Sequence, residues 1–122
     1  MREQREYIRL HKSVLVSHRV AGSLLGACSM TRDISGGGLR FPTFQSLTPG
    51  AALNMDISLP GEKKPINALA QVVWQKEKAG VHTRFMMGMQ FTRISEEDRI
   101  KIVDYVKVSC KHKSFLMEGS VV

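Results

Sequence analysis

Between Lys12 and Phe91 the chain is broken at short intervals by turn-forming residues, and the stretches between the breaks are rich in Val, Leu, Ile and Met. That is the pattern of an all-β domain. It predicts strands over Lys12 to Arg19, Leu25 to Ile34, Gly38 to Phe41, Ala52 to Leu59, Ile66 to Gln75 and Val81 to Phe91. The breaks have physical causes. Gly36, Gly37 and Gly38 are expected to supply positive φ angles at little steric cost. Thr48-Pro49-Gly50 and Leu59-Pro60-Gly61 read as turns, because proline presets φ and glycine tolerates the left-handed region. Lys78-Ala79-Gly80 is expected to close a hairpin between the two longest strands. In the fourth strand Met55, Ile57 and Leu59 alternate with Asn54, Asp56 and Ser58, which gives one buried face.

The pattern changes at Ser95. This residue is a good N-cap, and Glu96, Glu97 and Asp98 place negative charge in the first helical turn. Ile102, Val103, Val106 and Cys110 recur at helical spacing, and Lys107, Lys111 and Lys113 follow in the C-terminal half. One amphipathic helix is therefore expected over about 96–112, its apolar stripe packed on the sheet. The fold class that follows is mainly β: a six-stranded antiparallel, split β-barrel closed by a C-terminal α-helix. Closing the sheet also removes exposed strand edges. The expected organisation is a flexible basic arm over 1–11, the barrel and helix over 12–113, and a tail over 114–122.

The chain has 122 residues, enough for a single core. No apolar run approaches the roughly 20 residues that a membrane helix needs, so no membrane insertion is expected. The charged start, MREQREYIRLHK, lacks the apolar stretch of a signal peptide, and a cytoplasmic location is the expectation. A reducing compartment argues against a disulfide between Cys28 and Cys110. No Cys or His stands at metal-ligand spacing, so no metal site is expected. Eighteen Lys and Arg against 11 Asp and Glu give a formal charge of +7. Charge of that sign favours an anionic partner, such as a nucleotide, a nucleic acid or an acidic membrane surface. It is equally the signature of a solvated basic surface, and the placement of the arginines decides between these readings.

Two clusters carry chemistry. Arg5-Glu6-Tyr7-Ile8-Arg9 holds two arginines four apart at the entrance to the first strand. Asp33-Ile34-Ser35-Gly36-Gly37-Gly38 is a strand running into a glycine-rich turn. Guanidinium groups present planar forks of donors to phosphate oxygens and to O6 and N7 of guanine, and they stack on bases. The Asp33 carboxylate suits the N1 and N2 donors on the opposite edge of guanine, and Ser35 shares its strand face. Gly36 and Gly37 leave room for a ligand near the backbone, where N–H groups bind phosphate. The plain structural alternative is a turn in which Asp33 or Ser35 bonds backbone amides while the arginines face water.

The two clusters together resemble the signature of the PilZ family, RxxxR followed some twenty to thirty residues later by Asp or Asn-x-Ser-x-x-Gly. This chain reads Arg5-x-x-x-Arg9 and then Asp33-x-Ser35-x-x-Gly38. The resemblance continues through Leu47-Thr48-Pro49-Gly50, Leu59-Pro60, Val72-Val73-Trp74 and Gly88-Met89-Gln90-Phe91, and spans about residues 2–108. It implies a six-stranded β-barrel with a C-terminal helix and a bacterial receptor for cyclic di-GMP. Arg5 and Arg9 would bind phosphates and the Hoogsteen edges of guanine, Asp33 and Ser35 the opposite side, and Gly38 would preserve the turn. Trp74 would either line the pocket or belong to the core. The residue before RxxxR bears on whether one ligand or an intercalated pair is held. Here it is Gln4, with Arg2 nearby, so stoichiometry stays open. The implied mechanism is a switch in which ligand orders the basic arm against the barrel and presents a surface to a downstream protein partner.

Three other classes fit the sequence less well. A single-stranded nucleic-acid-binding barrel would want aromatic residues interleaved with basic ones on one face, and five Phe, two Tyr and one Trp are few for that, so no DNA or RNA partner is expected. An interaction module of the same fold that binds no nucleotide is opposed by the complete motifs. An enzyme is not expected, because His11, His18, His82 and His112 form no recognisable catalytic set with Ser35.

Overall fold

The computed structural model describes residues 7–80 and 84–121, with side chains through Cys110. Seven strands and one helix follow in chain order: β1 Leu15–Val20, β2 Ala27–Met30, β3 Asp33–Ser35, β4 Gly38–Thr43, β5 Ala52–Ser58, β6 Ile66–Lys78, β7 Arg84–Arg93 and α1 Glu96–Val121. All pairings are antiparallel, in one sheet of order β2-β1-β5-β6-β7-β4-β3.

The single strand expected over Leu25 to Ile34 is two strands, and the reason lies at Thr31. The Thr31 N–H donates to the Val14 carbonyl at 2.9 Å. Its hydroxyl donates to the Lys12 carbonyl at 2.8 Å and accepts from the Val14 N–H at 2.9 Å. One residue on, the Arg32 N–H donates to the Arg40 carbonyl at 2.6 Å. The chain thus leaves β1 and changes partner to β4 within two residues. Because β2 and β3 are the two ends of the sheet, this continuous stretch joins them and curls the sheet into a half-barrel. Leu10 completes the seam through paired hydrogen bonds with Ile34, and its side chain is buried. The core therefore takes in Leu10, a residue of the expected arm.

Alternation holds where it was expected. Met55, Ile57 and Leu59 are buried while Asp56 and Ser58 face out. Each fully buried aliphatic side chain contributes about 1.5–3 kcal/mol, so this one face is a substantial share of the core. Gly50 and Gly61 do adopt positive φ, 96° and 88°. Gly36, Gly37 and Gly38 do not: among the described residues only Gly22, Gly50 and Gly61 have positive φ. The run of three glycines serves close packing instead. β4 tolerates Pro42 because β3 pairs only with Gly38 to Arg40, so beyond Arg40 only the β7 side of the strand is paired.

The helix starts as expected. Ser95 Oγ accepts from the Asp98 N–H at 3.1 Å, a cap worth about 1 kcal/mol. Ile102 and Val106 are buried against the sheet. The helix runs on to Val121 instead of ending near 112. Lys111 to Glu118 contains no proline or glycine, so nothing local stops it. β6 also runs three residues beyond its expected end at Gln75, pairing Lys78 with Arg84. The expected start of the last strand at Val81 lies outside the described residues.

Candidate functional site

A surface cleft of about 830 Å³ lies where the β3–β4 turn meets β6, β7 and the start of α1. Its size falls within the roughly 300–1,000 Å³ of small-molecule sites. Arg9, Ser35, Gly37 and Gly38 line it, so residues from both sequence clusters meet there. Trp74 lines it as well. Arg2, Gln4 and Arg5 lie outside the described residues.

Each motif residue is held for a reason. Ser35 is buried, its hydroxyl accepting from the Gly37 N–H at 3.2 Å and donating to the Gly38 carbonyl at 3.3 Å, which shapes the turn. Gly38 pairs with Gln90, and a Cβ here would strike the Met89 carbonyl oxygen. At Gly36 a Cβ would stand 2.7 Å from Val103 Cγ2 and 2.9 Å from Tyr7 Cδ1, and at Gly37 3.2 Å from Tyr7 Cδ2. The glycines let the Tyr7 ring and α1 press against the turn, a steric requirement independent of φ.

Asp33 differs from the other motif residues. Its carboxylate is buried, and the side chain does not line the cleft. Oδ1 accepts from Arg9 Nη1 at 3.3 Å, Oδ2 is 2.8 Å from Arg40 Nη2, and His11 Nδ1 approaches Oδ2 at 4.0 Å. A buried carboxylate requires such partners. Asp33 therefore stands behind Arg9, and Arg9 stands on the wall.

Trp74 is placed by an irregularity in the β6–β7 ladder. Val72 pairs with Met89 and Trp74 with Gly88, so Val73 is the extra residue of a bulge. The bulge turns both Val73 and Trp74 outward, 52% and 37% exposed. The indole lies against Gly88, where a Cβ would collide with Nε1, Cε2 and Cδ1. Trp74 is thus a wall residue and not part of the core.

Sequence reasoning missed Tyr7, Glu96 and Arg99 as wall residues. Arg99 Nη1 donates to the Gly36 carbonyl at 2.7 Å. Its Nε lies 3.5 Å from Glu96 Oε1, and its guanidinium sits 5.5 Å from the centre of the Tyr7 ring. Tyr7 was legible in part, since it lies inside RxxxR and two residues before Arg9, on the same face of an extended chain. Glu96 and Arg99 read only as a helix start, and no spacing connects them to Gly36. The wall thus presents two guanidiniums, one carboxylate, one indole and one phenol among the described residues, which is chemistry for a ligand with both anionic and aromatic parts.

Fold and cleft together define a curled antiparallel β-domain whose site is built on a glycine-rich turn and an arginine ahead of the first strand. The chain belongs to the PilZ domain family, whose sequence profile matches residues 3–107. No curated protein sequence matches it significantly. Among solved structures it is similar to the Bacillus subtilis inhibitor of motility MotI/DgrA, with TM-score 0.77 and 21% identity over 91% of this chain and 53% of that one. It is also similar to the PilZ domain of Escherichia coli YcgR, described with c-di-GMP, with TM-score 0.66 and 16% identity over 92% of this chain and 98% of that one. Klebsiella MrkH in its apo state gives TM-score 0.70 and 20% identity over 92% of this chain and 55% of that one. The chain spans about half the length of MotI/DgrA and MrkH, and nearly the whole of the YcgR domain. Among the described residues no helix is long and apolar enough to cross a membrane.

Proposed function

We propose that this chain is a cyclic di-GMP receptor domain that acts by ligand-driven rearrangement and not by catalysis. The observation that carries this reading is the convergence of Arg9, Ser35 and Gly38, from two motifs distant in sequence, on one cleft that Trp74 also lines. The description of the YcgR domain with c-di-GMP supports the choice of ligand.

Arg9 takes a phosphate, Arg5 of the same motif joins it, and Trp74 offers its indole face to a guanine. Because Arg9 and Asp33 are ion-paired, the two respond together. When Arg9 turns to a phosphate, Asp33 Oδ1 is released toward the N1 and N2 donors of guanine, while Arg40 still neutralises Oδ2. Exchanging one anionic partner of Arg9 for another keeps the cost of binding low. Charge-assisted hydrogen bonds contribute roughly 1.5–3 kcal/mol each, so a few offset the ordering of the chain ahead of Tyr7. The ordered segment then offers a downstream protein a surface it lacked before.

The test is calorimetric titration of the chain with cyclic di-GMP, with GMP and cyclic di-AMP as controls and Arg9→Ala as the matched variant. Saturable binding of cyclic di-GMP alone, lost in Arg9→Ala with the fold intact, is expected. No heat and no shift in melting temperature would overturn the reading.

A further inference from the structure

Cyclic di-GMP has two guanines, and the motif residues offer a carboxylate for the amide edge of only one. Among the described residues on the cleft wall the sole carboxylate is Glu96, in the first turn of α1. It differs from Asp33 in exposure and in ion pairing. The Glu96 side chain is 80% exposed, against 2% for Asp33. Its ionic contact among the described residues is a single long one, 3.5 Å to Arg99 Nε.

The charges on the wall also divide the cleft. Arg9 attracts phosphate, whereas a phosphate set beside the Glu96–Arg99 pair would meet the like charge of Glu96. A guanine presents the opposite face to a carboxylate: its N1–H and N2 amino group point the same way, and two carboxylate oxygens accept both. An adenine offers an unprotonated N1 there and finds no such partner.

We propose that Glu96 selects the second guanine of the bound dinucleotide by accepting hydrogen bonds from its N1–H and N2 amino group. This rests on the cyclic di-GMP reading and adds a base-selecting residue outside both motifs, on the helix. It also gives the ligand a direct hold on α1, through a residue whose neighbour Arg99 is bonded to the motif at Gly36.

The experiment compares cyclic di-GMP with cyclic di-inosine monophosphate, which lacks only the N2 amino groups, on the wild-type chain, Glu96→Ala and Glu96→Gln. Removing a negative charge near an anionic ligand raises affinity for both ligands alike, so the ratio of the two affinities is the readout. The wild-type chain is expected to prefer cyclic di-GMP, and Glu96→Ala to reduce that preference by about tenfold, the loss of one hydrogen bond to a charged acceptor. Glu96→Gln, with a single acceptor oxygen, is expected to fall between. A preference unchanged in Glu96→Ala overturns the role of Glu96 while leaving the receptor reading standing. A wild-type chain that binds both ligands equally overturns it too, together with the N2 contact assigned to Asp33. A wild-type chain that binds neither ligand overturns both.

Discussion

Arg99 on α1 and Gly36 in the β3–β4 turn are 63 residues apart in sequence and joined by a 2.7 Å hydrogen bond from guanidinium to carbonyl. With the Tyr7 ring beneath the same guanidinium, the bond ties the start of the helix, the turn and the chain ahead of β1 into one unit. Arg99→Ala is expected to cost about 1.5–3 kcal/mol, the worth of a hydrogen bond from a charged donor, seen as a lower denaturation midpoint. Amide exchange should speed up at Gly36 and Gly37. Arg99→Lys should recover little, since a compact point charge cannot both bond the carbonyl and cover the ring.

Gly38 tolerates no side chain because the Met89 carbonyl oxygen occupies the space. A Cβ meeting backbone cannot be accommodated by a rotamer change. Gly38→Ala is expected to destabilise by about 2–4 kcal/mol through displacement of β4 from β7. Thermal unfolding measures this. Val73→Ala, at an exposed bulge position, is the control and should change stability by no more than about 0.5 kcal/mol.

At Gly88 the collision is with the Trp74 indole, which can move. Gly88→Ala should therefore leave the fold intact and lower ligand affinity by displacing the ring from the wall. Tryptophan fluorescence reports the displacement directly, since Trp74 is the single tryptophan. An unchanged emission maximum together with unchanged affinity would show that the ring position does not matter for binding.

Asp33 neutralises two arginines from a buried position. Asp33→Asn leaves Arg9 and Arg40 without their shared anion and should cost about 2 kcal/mol. The Arg9 and Arg40 side chains are 29% and 30% exposed, so water compensates in part. Nuclear magnetic resonance of the arginine side chains would show Arg9 released.

His18 gives the fold a pH dependence. The ring is buried, 4.6 Å from the Phe41 ring centre, and Nε2 is 3.0 Å from Ser29 Oγ. Burial lowers its pKa below 6.5. Below pH 6.5 the unfolded chain therefore binds the proton more readily than the folded one. Stability is full above 6.5, declines as pH falls toward the lowered folded value, and levels off below it. Urea midpoints measured from pH 7.5 down to pH 5 should show this decline, and His18→Gln should flatten it.

Much of the fold and part of the site were legible in the sequence, for identifiable reasons. Alternation at Asn54 to Leu59, the turns at Gly50 and Gly61, and the cap at Ser95 are local: the backbone conformation each residue type prefers is the one it adopts. That Arg9, Ser35 and Gly38 would line one cleft was legible because both motifs are complete and correctly ordered. What local pattern could not express were partners distant in sequence. Thr31 splits a strand only because the backbone of Lys12 and Val14 lies beside it. The three glycines are small because Tyr7, Val103 and Met89 press on them, and not because the chain turns left-handed there. Trp74 faces the cleft because a bulge at Val73 shifts the register.

The sequence by itself thus determined most of the strands, the capped start of the helix and the chemistry offered by two motifs, since all three follow from the preferences of neighbouring residues. Only the tertiary structure decided which groups reach the cleft. Closing the sheet buried the Asp33 carboxylate behind Arg9, and docking α1 against the β3–β4 turn brought Glu96 and Arg99 to the wall. Burial and exposure are properties of the closed surface, and no single stretch of chain contains them.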